Sequence, residues 1–332
     1  VNAQITSKIV GIGHAMCDIY AELPQPVWAE LKSQRKWQNL SRSIHVSAKE
    51  AREILEFLKS EMQRGRISDL TLNAGGSALN AIRVASLFGV KSSFIGCIGN
   101  DEEGLSVRKG LAQANVEDRL TVCPEKNSAT GIFFTLMPKD SQDEPSLQEK
   151  TILASPSSAQ KVRQLDVDSL PVMEASLLHT EAILADNPFF IDRIFQKCKE
   201  AHIEISIDLA NARAVKENRN TLIVSLRRYA NFIFCTKAEF EALEEGIHEI
   251  APQAIWIIKK DREGVDCVVG KTTYFAEAPR CRVIDETGAG DAFAGAFLAT
   301  YFPKKDIPSC LRQGTCAAES VLKAKGSVPA GL

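Results

Sequence analysis

The sequence predicts an α/β protein built on a mainly parallel central sheet, and two patterns carry that prediction. Short apolar runs recur along the chain: KIVGIG (8–13), SSFIGCIG (92–99), ASLLHTEAIL (175–184), IEISIDLA (203–210), NFIFCT (231–236) and AIWIIKK (254–260) read as buried strands. Between them, ALNAIRVASLFG (78–89), LSVRKGLAQANV (105–116) and NPFFIDRIFQKCKEAH (187–202) place apolar residues near i, i+3, i+4 and i+7, the period of a helix packed on one face. Strands alternating with helices imply parallel pairing through right-handed crossovers. With 332 residues, 45% of them hydrophobic, the chain can bury a large core.

Two segments interrupt the alternation. Residues 21–72 hold ELPQPVWAEL, a basic polar stretch around SQRKWQNLSRS, and the charged amphipathic helix candidate SAKEAREILEFLKSEM. Residues 117–160 hold the strand-like TGIFFTLMP, then KDSQDEPSLQEK and ASPSSAQK, rich in Pro, Ser and charge. They read either as a discontinuous lid, about 16–72 and 117–155, or as surface loops with a peripheral helix.

Composition excludes several functions. A formal net charge of −2 gives no electrostatic case for nucleic acid or an anionic membrane. No run of about 18 apolar residues is present, and the start, VNAQITSKIVGIG, has no basic region followed by a long apolar stretch. Nine scattered cysteines without a C-x-x-C pair suggest buried thiols in a reducing compartment, so a cytoplasmic location is expected. The five histidines lack H-x-x-x-H spacing, and no protein-built zinc site is predicted. GVDCVVGKTT (264–273) has one residue too many for a phosphate-binding P-loop and reads as a β-hairpin with Gly-Lys at its turn. GIGHAM (11–16) lacks the third glycine of a dinucleotide fingerprint.

The stretch IDETGAGDAFAGAF (284–297) is where chemistry concentrates. After strand-like CRVI (281–284), a turn leads into a helix over 289–302. A helix start leaves backbone N–H groups unpaired and attracts anions, and glycines let a phosphoryl group approach closely. Asp291 would repel that anion unless it has its own task. Either it is a general base that removes a proton from an attacking hydroxyl, or it is a first-turn acid favourable to the helix dipole.

The sequence resembles the PfkB, or ribokinase-like, carbohydrate and nucleoside kinases. AGGSALNAIRVASLFG (74–89) with IGCIGNDEEG (95–104) is similar to the family's N-terminal signature, and DETGAGDAFAGAF (285–297) to its C-terminal one, with Glu286 in an unusual place. The resemblance implies one domain over 1–332, a three-layer α/β/α arrangement around a mainly parallel sheet, and a small β-containing lid over the acceptor pocket. It further implies Asp291 as the base, with an anion hole at Gly288, Ala289 and Gly290. Asp18, Gly75, Gly76 and Asn80 would bind the acceptor, a carboxylate accepting bonds from hydroxyls and glycines letting a ring lie on backbone. ATP and Mg²⁺ are the implied cofactors.

On the nucleotide side, CTKAEF (235–240) matches the family's N-x-x-E, with Glu239 toward the metal through water and Thr236 in place of asparagine. IIKKDREG (257–264) is similar to its K-x-G-x-x-G loop. Lys259, Gly264 and Thr287 are the nucleotide contacts implied, and Asp261 stands where glycine is usual. The helix candidate CLRQGTCAAESVLKAKGSVP (310–329) resembles the segment beside the adenine. The long first insertion is similar to the lid of adenosine-kinase-like members. Trp28, Trp37, Phe133 and Phe134 either wall a pocket or pack the lid core. The acceptor stays open between a nucleoside and a sugar, and an exposed lid edge would allow a homodimer. The competing reading is a pseudokinase, a sensor or scaffold whose nucleotide use is blunted at Thr236 and Asp261.

Overall fold

A computed structural model describes residues 8–33, 43–125, 128–139, 150–324 and 328. Its strands are β1 (Lys8–Ile12), β2 (Met16–Leu23), β3 (Ser43–His45), β4 (Thr71–Gly75), β5 (Lys91–Ile98), β6 (Glu117–Val122), β7 (Gly131–Pro138), β8 (Thr151–Ser155), β9 (Leu177–Glu181), β10 (Glu204–Asp208), β11 (Phe232–Thr236), β12 (Ile255–Lys259), β13 (Val265–Val269) and β14 (Thr272–Ala276). Helices α1 (Gln25–Ser33), α2 (Ala48–Gln63), α3 (Ser77–Leu87), α4 (Glu102–Gln113), α5 (Pro188–Glu200), α6 (Ala212–Glu217), α7 (Arg219–Tyr229), α8 (Lys237–Glu241), α9 (Ile247–Ile250), α10 (Ala289–Lys304) and α11 (Ile307–Leu322) complete it.

Nine strands form the large sheet, in the order β14-β13-β12-β11-β10-β9-β1-β5-β6. From β12 to β6 every pairing is parallel, and the β13–β14 hairpin adds two antiparallel strands at one edge. The parallel strands are apolar on both faces because helices cover both. On one face α3, α10 and α11 pack around Phe94, Phe234, Phe293 and Phe297; on the other, α5 and α7 pack around Phe195, Leu226 and Trp256. The predicted α/β architecture is present, and the Gly-Lys turn of the hairpin falls at Gly270, with φ +57°.

A second, five-stranded sheet, β3-β8-β7-β2-β4, forms the lid. The amphipathic helix read over 47–62 is α2, whose Ser47 and Glu50 build a reciprocal capping box worth about 1 kcal/mol. It buries Ile54, Leu55 and Leu58, each contributing roughly 1.5–3 kcal/mol. Trp28 and Phe134 are buried in this core, whereas Phe133 faces the cleft described below. Trp37 lies outside the described residues.

Two expectations are corrected. The second excursion does not start at 117, because β6 pairs in parallel with β5 inside the large sheet. CRVI (281–284) is not a strand: Ile284 donates its N–H to the Leu322 carbonyl at 2.7 Å, so this run is tied to the end of α11 instead of a ladder. All nine cysteines are free, seven of them buried. No described helix is long and apolar enough to cross a membrane.

Candidate active site

Parallel strands aim their carboxyl ends at one edge of a sheet, and open α/β sheets bind ligands there. A cleft of about 680 Å³ lies along that edge. His14 just after β1, Glu181 ending β9, Asp208 ending β10, Thr236 ending β11 and Lys259 ending β12 all reach it. The lid closes the opposite wall with Met16, Asp18, His45 and Phe133. The starts of α3 and α10 supply Ser77, Asn80, Gly288, Gly290 and Asp291.

Asp291 occupies the first turn of α10. Its Oδ1 accepts from Ser77 Oγ at 2.8 Å and its Oδ2 from Asn80 Nδ2 at 3.1 Å. Burial, then the nearby Asp208 carboxylate, push its pKa up to about 6, against the two hydrogen bonds and the charge of Lys259. Such a carboxylate is ionised at neutral pH yet basic enough to take a proton. Gly288 caps the helix in a left-handed conformation, φ +81°, which a side chain would resist. At Gly290 an added Cβ would lie 3.1 Å from Lys259 Nζ, so glycine keeps the space between helix start and ammonium open.

Lys259 pairs with Asp208 at 3.0 Å. Burial acts to lower its pKa, but the carboxylates of Asp208, Glu239 and Asp291 together outweigh burial and hold the ammonium charged, above the ordinary lysine range. Glu239 is buried at the start of α8, where it forms a capping box with Thr236: the Thr236 N–H donates to Glu239 Oε2 at 2.7 Å, and Thr236 Oγ1 accepts from the Glu239 N–H at 3.3 Å. Burial and Asp208 raise its pKa. Threonine in the asparagine position therefore serves a local structural purpose, orienting the acid.

At the Asp18 end of the cleft, Gly75 is required by contact, since a Cβ there would stand 1.9 Å from Asp18 Oδ1. Gly76 has φ +110°, and its Cβ would meet the His14 carbonyl at 2.1 Å. Both glycines thus let strand β4 pass under Asp18 and turn into α3. Glu181 accepts backbone N–H bonds from His14 at 2.6 Å and Ala78 at 3.4 Å. Burial still pushes its pKa up to about 7.

The turn before α10 is tied down from the lid. Asp285 accepts from Thr287 N–H at 3.0 Å and Oγ at 2.8 Å, and Lys150, just before β8, reaches both Asp285 at 3.3 Å and Thr287 at 3.2 Å.

Of the residues expected from sequence, Asp18, Gly76, Asn80, Glu239, Lys259, Thr287, Gly288, Gly290 and Asp291 line the cleft. Gly75 acts from beneath Asp18. Ala289 donates its N–H to the Glu286 carbonyl at 3.2 Å, leaving that amide engaged. Gly264 stands away from the cleft: its φ of +98° and a would-be Cβ 2.3 Å from the Ala276 carbonyl show a hairpin-packing need. Asp261 adopts φ +49°, the left-handed conformation that aspartate tolerates. Sequence reasoning missed Ser77, Glu181, Asp208, His14 and Lys150. A charged residue closing an apolar run, as in HTE and SID, was the available signal for Glu181 and Asp208.

In this cleft the start of α10, a carboxylate raised to about 6 and a charged lysine meet beneath the lid. The chain belongs to the pfkB family of carbohydrate kinases, whose description matches residues 46–330, and it is a carbohydrate or nucleoside kinase. It is 25% identical over 259 residues to a sugar kinase of Archaeoglobus fulgidus, covering 73% of this chain and 95% of that one. It is 24% identical over 243 residues to an ATP-dependent ribose-1-phosphate kinase of Halopiger xanaduensis, covering 72% and 77%. Among solved structures, the adenosine kinase of Sinorhizobium meliloti superposes with a TM-score of 0.78 at 18% identity, covering 98% of this chain and 96% of that one.

Proposed function

We propose that this kinase transfers the terminal phosphoryl group of ATP to a primary hydroxyl of a sugar or nucleoside, with Asp291 as general base. One observation carries the reading: a half-buried carboxylate pushed up to about 6 stands in the first turn of α10, aimed by Ser77 and Asn80. Asp291 accepts the hydroxyl proton, and Ser77 and Asn80 hold the carboxylate on the cleft side of the helix start. The Gly290 amide and the Lys259 ammonium, close to each other at the helix start, would stabilise negative charge on the transferring group. Asp18 accepts hydrogen bonds from acceptor hydroxyls.

The residues present fit Mg²⁺-ATP. Among the described residues no cluster of three metal-ligating side chains exists, and Mg²⁺ bound to nucleotide needs few protein carboxylates because it keeps several waters. Glu239 and Asp208, both lining the cleft, are the acids that would hold those waters. When bound, the metal neutralises phosphate charge.

The pseudokinase reading has no observation in its favour, since Thr236 caps α8 and Asp261 meets the backbone need of its position. Both acceptor classes are represented among similar proteins. The test is a panel of sugars and nucleosides with ATP and Mg²⁺, following ADP release and locating the new phosphate by NMR. Acceptor-dependent ADP release with phosphate on a primary hydroxyl is expected; acceptor-independent hydrolysis alone would contradict the proposal.

A further inference from the structure

His14 carries a buried polar atom that the protein leaves without a partner. Its Nε2 is shielded and makes no hydrogen bond, although the residue is only 6% exposed and lines the cleft beside Asp18. Buried polar atoms are rarely left unmatched, and an exception at a binding cleft points to a ligand atom. On its other side the His14 backbone N–H donates to Glu181, and the ring Nδ1 faces Glu181 Oε1 at 3.9 Å.

With the proton on Nδ1, toward Glu181, Nε2 carries the lone pair. The imidazole is neutral at physiological pH, because burial first, and then Arg163 and His45, push its pKa down to about 3. Arg163 itself is engaged by Asp186. Asp18 and the His14 lone pair are both hydrogen-bond acceptors, so this corner of the cleft favours ligand donors.

Building on the kinase reading, we infer that His14 is a specificity-determining residue: its Nε2 accepts a hydrogen bond from a second hydroxyl of the acceptor, selecting a neutral, hydroxyl-rich sugar or nucleoside over a sugar phosphate or sugar acid. A phosphate or carboxylate oxygen set against Nε2 would bring acceptor against acceptor beside Asp18. A hydroxyl satisfies Nε2 and orients the ring whose primary hydroxyl meets Asp291.

The test uses the full chain, His14→Leu and His14→Asn. The probes are D-ribose, D-fructose, adenosine, ribose 1-phosphate and 2-dehydro-3-deoxygluconate, with mono-deoxy analogues of each neutral probe that binds. Calorimetric Kd without ATP is read beside kcat/KM. For the wild type, one deoxy analogue should be weaker than its parent by roughly 10- to 100-fold, and His14→Leu should erase that ratio. His14→Asn, whose amide oxygen can accept the same bond, should restore part of it, and KM for ATP should not move. Equal ratios in wild type and His14→Leu, or binding of the two anionic probes alone, would overturn the inference while turnover leaves the kinase reading intact. Binding with the His14 signature but no phosphorylation would sink the kinase reading alone. Failure to bind any of the five counts against both.

Discussion

Asp291 is held in a state that costs stability when it ionises. Its folded pKa of about 6 exceeds the ordinary 3.8, so between those values the folded protein binds more protons than the unfolded chain and loses stability as pH rises. The full cost above that window is on the order of 3 kcal/mol at 1.36 kcal/mol per unit. Glu181, at about 7, adds a decline of the same sign. His14 and His179, lowered to about 3 and about 4, pull the other way, because protonation of the unfolded chain is lost as pH rises to the ordinary histidine range. The clean readout is therefore a difference: ligand-free Asp291→Asn should melt higher than the wild type by a margin that grows between pH 5 and pH 8. A margin that does not change with pH would show the carboxylate titrating normally. Asn80→Ala removes a hydrogen bond that favours the carboxylate, so the acid limb of kcat/KM should move to higher pH; a limb that stays in place would remove Asn80 from the role of positioning the base.

Elements bring these residues together, and they were legible unevenly. Periodicity gave β1, β5, β9 to β12 and α3 to α5 within a few residues, because parallel strands and their covering helices are apolar in patterns that local spacing reveals. It failed at β6, whose EDRLTV is mostly polar because it lies at a sheet edge, and at CRVI, an apolar run bonded to a helix end. Lys150 was invisible, since only the folded lid brings it to Asp285 across 135 residues of sequence. Lys150→Met should destabilise the protein by about 1–3 kcal/mol in urea titrations, as the lid loses a hold on a buried carboxylate, and Lys150→Arg should recover part of the loss. Gly76→Ala places a Cβ against the His14 carbonyl at φ +110°, and a cost of roughly 2–4 kcal/mol is expected from strain and clash together. An unchanged urea midpoint in either case would contradict the contact described.

For the whole molecule, lid and large sheet share one core: Leu23, Trp28, Leu55 and Leu58 belong to the same packed cluster as Phe94, Phe234, Phe293 and Phe297. Thermal unfolding should accordingly show one transition, and Leu58→Ala should reduce stability by about 2–5 kcal/mol without a separate lid transition. The signatures at 74–104 and 285–297 were readable because backbone needs, at Gly75, Gly76, Gly288 and Gly290, restrict residue choice locally. The acids and His14 at the strand ends were less readable, because their meaning arises only when five strands align. The account rests on Asp291 as the base that all of this positions. Its most direct test is the single-turnover rate of phosphoryl transfer to a competent acceptor from pH 5 to 8. The wild type should rise through about pH 6 to a plateau, and Asp291→Asn should be slower by about 10²- to 10⁴-fold with no acid limb. An Asp291→Asn rate within a few-fold of the wild type, with the same acid limb, would contradict the assignment.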